Sequence, residues 1–577
     1  MVWVDAMAKP GFPRKVFIGL TAFLCLMAAL IWVSGWHGRR SLQIWKARMV
    51  AQGEKFGIDE LAPPLPTTND TNFDRILSAR SALEQRSFNP GNYSARSFVA
   101  PGEAFPLWMG EELTNYMNQA TGWPEAAQEF NVASEELRQI REALRNPAPA
   151  SAIDYRNLVS AKNYAAERFV AQWLAGAVTY ELHENNLTEA QEILGSLINL
   201  IRLHEHDLTL INQMIRAAIA GLALDTTWAA LQARGWSEEQ LAELQQELEK
   251  PKWLEEFPPM WEMFRAQTLI WFAKARNNGV ASVRPQFTFP PATSRSAGDI
   301  AQEYFLDPLW HAAWSASDEL NYLTEIQTTI DATRAAVRHK SWVRLSADLN
   351  PPRIHSPSIL DKYNDLRFQM SQMVYGNFTR AHEAIMKTET LRSLTVAAIA
   401  LKRYQLRHGR FPPTLDSLAP EFLVAIPLDY MDGRPLRYRL ESDGSFHLYS
   451  VGLNGVDDDG DYRPTAAWRR YSSLWDGRDA VWPRLASAEV ETAAAAEEVL
   501  PLVIFEDAPL FDVIRTLARQ ADLAVQFNPK VLEYSFPEIS LRLENVTAQD
   551  VLQTVLGNNN LVLVKHPGTN LVGITWK

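Results

Sequence analysis

The sequence predicts a multidomain chain: an N-terminal transmembrane helix, a large mainly-α domain, a small α+β module and a C-terminal α/β module of βαββαβ-like order. Three observations carry that prediction. Residues 16–36 form an apolar run without a charge. From there to about residue 402, apolar residues recur with a helical period that proline clusters interrupt. The last eighty residues, 498–577, change to short alternating strands around two amphipathic helices.

At 577 residues the chain exceeds what one hydrophobic core organises. Apolar residues make up 47% and charged residues 21%, the balance of a globular protein rather than a disordered one. The net charge is −12 and no basic stripe interrupts it, which argues against a nucleic-acid partner. The 19 tryptophans concentrate in the helical part, where core packing is the expected role. Cys25 is the one cysteine, so no disulfide can form within the chain and the redox compartment leaves no trace.

The apolar run has 21 residues with Trp32 and Trp36 at one end. At ~1.5 Å per residue it reaches ~31 Å, enough to cross the hydrocarbon of a bilayer. A cleaved signal peptide usually has a hydrophobic region of ~7–15 residues and an Ala-x-Ala-like site. This run is longer, and Trp32-Val33-Ser34-Gly35-Trp36 fits such a site poorly. The residues before Cys25 (Ala22, Phe23, Leu24) are also bulky for lipid attachment, so an uncleaved membrane anchor is expected. Lys9, Arg14 and Lys15 flank one end and Arg39, Arg40, Lys46 and Arg48 the other, so charge alone does not orient the helix. The expected plan is a tail at 1–15, the transmembrane anchor at 16–36, a helical domain at 42–390, an α+β module at 391–480, a linker at 481–498 and a C-terminal module at 499–577.

In the long middle, residues 42–402, the proline-rich breaks fall at 62–66, 146–149, 285–291 and 350–352. Between the second and third lie amphipathic stretches at 164–184, 187–204 and 208–234, separated by short polar turns such as Glu184-Asn185-Asn186. Such antiparallel hairpins suit a bundle or an irregular helical array, and no fixed period names a repeat. His204-Glu205-His206 places its imidazoles two residues apart, on different faces of a helix, so an exposed helix end is expected there. A G-x-S-x-G elbow, a P-loop and a dinucleotide fingerprint are all missing, so no residue is assigned a catalytic or cofactor-binding role. An active site in the helical domain has only isolated candidates, Glu181, His183 and Asp225.

The C-terminal module begins with an apolar strand at 499–505. A helix follows with Leu510, Val513, Ile514, Leu517, Ala518 and Ala521 on one face. Then come a short strand at 523–527, a turn at Asn528-Pro529 and an alternating strand at 539–544. Thr547 and Asp550 resemble a capping box for a second helix, whose apolar face is Val551, Leu552, Val555 and Leu556. Strands at 561–564 and 571–576 flank the loop 566–570, and the expected core centre is Ile504, Val513, Leu517, Leu541, Leu543, Val551 and Val555. This order, with Asp507-Ala508-Pro509-Leu510 at the first helix, Asn528-Pro529 after the second strand and the passage 541–552 into the second helix, resembles the short N-terminal domain shared by secretins and TonB-dependent receptors. The resemblance covers nearly all of 498–577 and implies a periplasmic, partner-binding module without catalytic residues. Secretins carry this domain ahead of a large β-barrel; here the chain stops right after it, so the expectation is that it does not form the pore itself.

Ahead of that module, residues 391–407 are helical, with Leu394, Ala397, Ala398, Leu401 and Tyr404 on one face. Gly409 can cap that helix, and Pro412-Pro413 forbid its continuation. A short helix, turns at Asp432-Gly433 and Asp443-Gly444, and strands at 436–440 and 446–451 are expected next. Tyr404, Gly409-Arg410-Phe411-Pro412, Leu415 with Leu418, Pro427-Leu428-Asp429, the run 432–438 and the run 448–455 resemble, in order and spacing, the C-terminal part of type II secretion major pseudopilins. The N-terminal pilin helix with its processing glycine is absent before 391, so filament assembly is not implied.

The loop 454–461 holds four carboxylates in five residues, a density that calls for solvation or a cation. Pseudopilins of this type hold calcium in the equivalent loop, so calcium at Asp457, Asp459 and Asp461 is what the resemblance implies. Gly460 falls too early for an EF-hand, and a solvated acidic turn is the alternative. Residues 486–498 read as a low-complexity tether.

The expected function is a non-catalytic, membrane-anchored component of a bacterial secretion, pilus or transport assembly, single-pass in the inner membrane with its bulk in the periplasm. Its expected partners are envelope proteins of secretion or TonB-type machinery, with the membrane held through the N-terminal helix. The alternatives are a membrane-anchored envelope enzyme and a structural scaffold.

Overall fold

The computed structural model describes residues 14–63, 72–86, 88, 90, 95–114, 120–145, 154–156, 165–203, 205, 207–283, 302–349, 359–374, 378–464, 473–486, 499–520, 523–532, 534, 536, 539–565 and 571–576. The expected features at His204, His206 and 566–570, and the tether beyond 486, lie outside them.

The N-terminal helix runs unbroken from Arg14 to Ala51, 38 residues, well past the apolar run. Its apolar window has a mean hydropathy of 2.6 and is not buried at all against the rest of the chain, so it is long and apolar enough to cross a membrane. From Ser34 onward the same helix lies against the body. Ser34 donates to the Ala313 carbonyl at 3.2 Å, a Cβ on Gly35 would strike the Ala312 carbonyl, and one on Gly38 would meet the Ser317 hydroxyl. Two glycines one turn apart thus permit close helix approach. A second apolar helix, Leu210–Leu231, is two-thirds buried and belongs to the core.

The body is mostly helical, and the three long stretches expected in its first half appear as Ala165–His183, Leu187–Arg202 and Leu210–Leu231. Local chemistry starts the second and third: the Asn186 side chain caps the former and Thr209 the latter, each accepting from the backbone three residues on. Glu238–Glu249 opens with a full capping box between Ser237 and Gln240. Longer helices, Trp253–Asn278, Ser315–His339 and Thr379–His408, complete the body. Trp173, Trp228, Trp253, Trp261 and Trp310 are fully buried.

One part of the helical expectation is corrected. Residues 96–122 hold four short strands, Arg96–Ala100, Glu103–Pro106, Glu112–Thr114 and Ala120–Gly122. Pro101-Gly102 makes the reversal between the first two, with Gly102 at φ +77° where a side chain would be strained, and the pair runs antiparallel from Arg96↔Pro106.

Residues 391–461 carry a helix end and short strands near the positions expected from the sequence, but continuous with the helical body. Its helix is not a separate element: residues 391–408 are the C-terminal part of Thr379–His408, and the sequence border at 390/391 falls inside that one rod. Gly409 closes it at φ +71°, its N–H bonded to the Gln405 carbonyl at 2.8 Å. Strands Arg437–Leu440, Phe446–Ser450 and Ala480–Val481 form one antiparallel sheet. Arg484–Leu485, expected in the linker, instead pairs in parallel with Glu103–Pro106. The Trp228 indole donates to the Pro483 carbonyl at 3.1 Å, and the helical residues and this sheet share one hydrophobic cluster.

Residues 499–576 have a second, separate cluster. Val499–Ala508 pairs antiparallel with Ile539–Thr547, while Ala524–Phe527, Leu571–Trp576 and Leu561–Lys565 form a three-stranded sheet in that order. The helices Leu510–Gln520 and Ala548–Asn558 bury Val513, Leu517, Val551 and Val555. Leu541 and Leu543 are only partly buried, and the Ile504 and Thr547 side chains lie outside the described residues. Asn528-Pro529 opens a helical turn, Pro529–Leu532, rather than a plain reversal.

Candidate functional site

The acidic loop leaves the strand Phe446–Ser450 and returns to Ala480–Val481, so two hydrogen-bonded strands hold its ends. Its centre is Asp479, which is fully buried. The carboxylate accepts the backbone N–H of Asp458 at 3.1 Å and of Gly460 at 2.7 Å. Asp459 and Gly460, at φ +61° and +78°, give the loop the curl that points those N–H groups inward. Burial pushes the Asp479 carboxyl up to about 6, against the pull of the two N–H groups, with Asp457 and Asp458 adding repulsion.

The three carboxylates expected to meet at a metal stand apart, each facing a different guanidinium. Asp457 accepts from Arg437 Nε at 3.3 Å and from the Tyr449 hydroxyl at 3.2 Å. Asp459 is nearly fully exposed and lies 3.4 Å from Arg439. Asp461 takes Arg463 in a fork at 2.8 and 2.7 Å. Gly460 offers its carbonyl to His447 at 3.2 Å, and the inward groups of the loop are donors. As arranged, these residues do not form a cage for a cation, and among the described residues no three His, Cys, Asp or Glu side chains gather as one. Asp479 itself escaped the sequence reading: its one cue is an aspartate at the mouth of the apolar Ala480-Val481-Trp482, eighteen positions beyond the loop.

A second aspartate builds the floor beneath. Asp429 is fully buried and accepts from Ser450 Oγ at 2.7 Å and the Val451 and Met431 N–H groups at 2.8 and 2.9 Å, with Arg437 at 3.3 Å. Arg437 therefore links Asp429, Asp432 and Asp457. This network locks the strand end from which the acidic loop departs.

Glu181, His183 and Asp225 do not converge. Glu181 accepts from Asn186 at 2.7 Å, its carboxyl raised by burial. His183 stacks on Trp123 with ring centroids 3.8 Å apart and bonds the Trp108 carbonyl. Asp225 pairs with Arg96 at 2.5 Å. Each is occupied by a structural partner.

The C-terminal module has a different kind of surface. Among the described residues Leu561–Lys565 is an edge strand, paired on one side alone. Its inner residues Leu561 and Leu563 face the core, and its outer residues Val562 and Val564 are 38% and 48% exposed. Across from them stand Thr575 and Gly573. The edge thus offers unpaired backbone groups beside a shallow apolar face, which is what an added strand needs.

No protein-family model matches this chain, and neither a curated protein nor a solved structure matches it.

Proposed function

We propose that this chain is a non-catalytic, membrane-anchored interaction component of a bacterial secretion, pilus or transport assembly. The observation that carries the reading is a C-terminal module with its own apolar core and an edge strand, Leu561–Lys565, that displays Val562 and Val564 to solvent. A strand of an envelope partner adds to that edge, main-chain hydrogen bonds supplying affinity and the two valines packing the newcomer's side chains. The N-terminal helix holds the protein in the inner membrane, and the bulk lies in the periplasm. The resemblance of 498–577 to the short N-terminal domain of secretins and TonB-dependent receptors, and of 391–461 to major pseudopilins, supports the same setting.

Affinity capture from solubilised membranes tests the reading. Deleting 498–577, or changing Val564 to Lys, should remove a captured envelope protein while the chain stays membrane-bound. An unchanged set of partners would refute it. Protease added to spheroplasts should digest the bulk of the chain.

Calcium at the acidic loop is proposed on the sequence pattern alone. To bind, Asp457 and Asp459 would have to leave Arg437 and Arg439. A bound ion stabilises the folded state by about 2.7 kcal/mol at a hundredfold excess over Kd. Thermal unfolding with calcium and with chelator decides it: a rise that Asp459→Ala abolishes supports the ion, and identical curves leave an arginine-paired turn.

A further inference from the structure

Between the N-terminal helix and the body lies a cleft of about 730 Å³. Its walls change character along its length. At one end are Ala28, Ile31 and Trp32, within the apolar run; further along stand Arg39, Arg276 and His311. The body's side of the cleft is the turn Trp310–Trp314, where the backbone widens into a π-helix. Such turns are uncommon and recur at functional sites.

We propose that this cleft binds one anionic phospholipid, acyl chains along Ala28, Ile31 and Trp32 and phosphate between Arg39 and Arg276. Depth supports the assignment. Trp32 and Trp36 mark the interfacial level, and Arg39 follows three residues later, about 4.5 Å farther along the helix. That is where phosphates lie when the helix crosses a bilayer. Charge supports it as well. Lys46 at 2.5 Å and Arg276 share one buried carboxylate, Glu319. Arg39 has no ion-pair partner among the described residues, so the site carries a cationic excess. The neighbouring Asp318 is fully buried against Trp310 Nε1 at 2.8 Å and the Met370 and Ser371 backbone, and it does not line the cleft. Basic pockets beside membrane-crossing helices are built to hold such headgroups. The same end of the body exposes Tyr304 and Phe305, 65% and 74% accessible, side chains suited to a membrane interface.

The full-length protein in detergent, offered phosphatidylglycerol or phosphatidylcholine and weighed by native mass spectrometry, tests the site. The mass also reports whether residues 1–36 are retained, so a lost helix is told apart from a failed site. One phosphatidylglycerol should be retained in preference to phosphatidylcholine. Arg39→Gln should weaken retention about fivefold, the worth of one cation near a charged headgroup. Arg40→Gln, whose guanidinium lies over Trp36 instead, should leave it unchanged. Ala312→Phe, which narrows the cleft without touching a charge, should also reduce it. Equal retention of both lipids, equal losses in Arg39→Gln and Arg40→Gln, or displacement of the lipid by equimolar inorganic phosphate would each overturn the proposal.

Discussion

The body and the C-terminal module close their cores by opposite means. Among the described residues of the module, every buried side chain is apolar. The body buries Arg216, Arg265, Asp318, His382 and Glu389 among its aromatics. These groups connect segments far apart in the chain. Arg265 reaches Glu54 at 2.9 Å and the Lys55 carbonyl at 2.7 Å, across more than two hundred residues, and lies over the Phe56 ring. Arg334 takes the other Glu54 oxygen at 2.5 Å and holds Glu262 at 2.6 Å, and these guanidiniums keep the Glu54 carboxyl down at about 2 despite its burial. An apolar face can slide along another; a buried ion pair is satisfied in one arrangement alone. The body therefore uses charge to choose which helix meets which, whereas the small module needs little beyond periodicity.

The comparison breaks first at Arg265. Arg265→Ala removes the buried guanidinium that Glu54, Gln327 and the Lys55 carbonyl share, leaving Arg334 as the one guanidinium on Glu54, and should cost about 3–5 kcal/mol in chemical denaturation of the full chain. Combining Arg265→Met with Glu54→Gln should recover much of the loss. A single variant costing under about 1 kcal/mol would mean that the pair selects nothing. Leu517→Ala comes next, at about 2–5 kcal/mol, because it opens a cavity in a core of few side chains. Its effect should be confined to the module's unfolding transition; a joint shift of both transitions would show that the two cores are coupled.

Smaller effects come from pH, with opposite signs. The Trp261 indole can only donate, and it gives its N–H to His382 Nε2 at 3.1 Å, so the ring must carry its proton on Nδ1, toward the Phe378 carbonyl at 2.9 Å. Burial holds His382 down at about 4, from 6.5. A depressed histidine leaves the unfolded chain binding more protons, so stability worth about 3 kcal/mol is lost as pH falls from 6.5 toward 4. His382→Gln should flatten that slope in a melting series. Asp479 runs the other way: its raised carboxyl favours the folded state at low pH, and about 1–2 kcal/mol is lost as pH rises from 4 through 6, solvent screening allowed for. Asp479→Asn should remove that slope, and an unchanged profile would contradict the burial of its charge.

Legibility in the sequence follows the same division. The module was readable strand by strand, because one face of each element meets one core and period alone identifies it. Thr379–His408 shows where that fails: from 391 to 401 the helix is buried nearly all round, so its single apolar face conveyed neither its length nor its central position. The hairpin at 96–106 was missed because strands this short carry too few alternations to compete with the helical stretches around them. In the acidic loop the aspartates were visible, but their arginine partners stand up to twenty positions away and the buried Asp479 farther on. No spacing rule links residues that meet only after folding.

The unbroken N-terminal helix has a mechanical consequence. At 38 residues it is about 57 Å long, and its second half is clasped by Gly35, Gly38, Lys46 and the charge network at Glu54. No joint separates the stretch suited to lipid from the stretch inside the body. Lean and swivel of the two are one coordinate, so where the apolar stretch crosses a bilayer, a pull on the body would be transmitted as a tilt of the rod, and a change in bilayer thickness would re-aim the helical body.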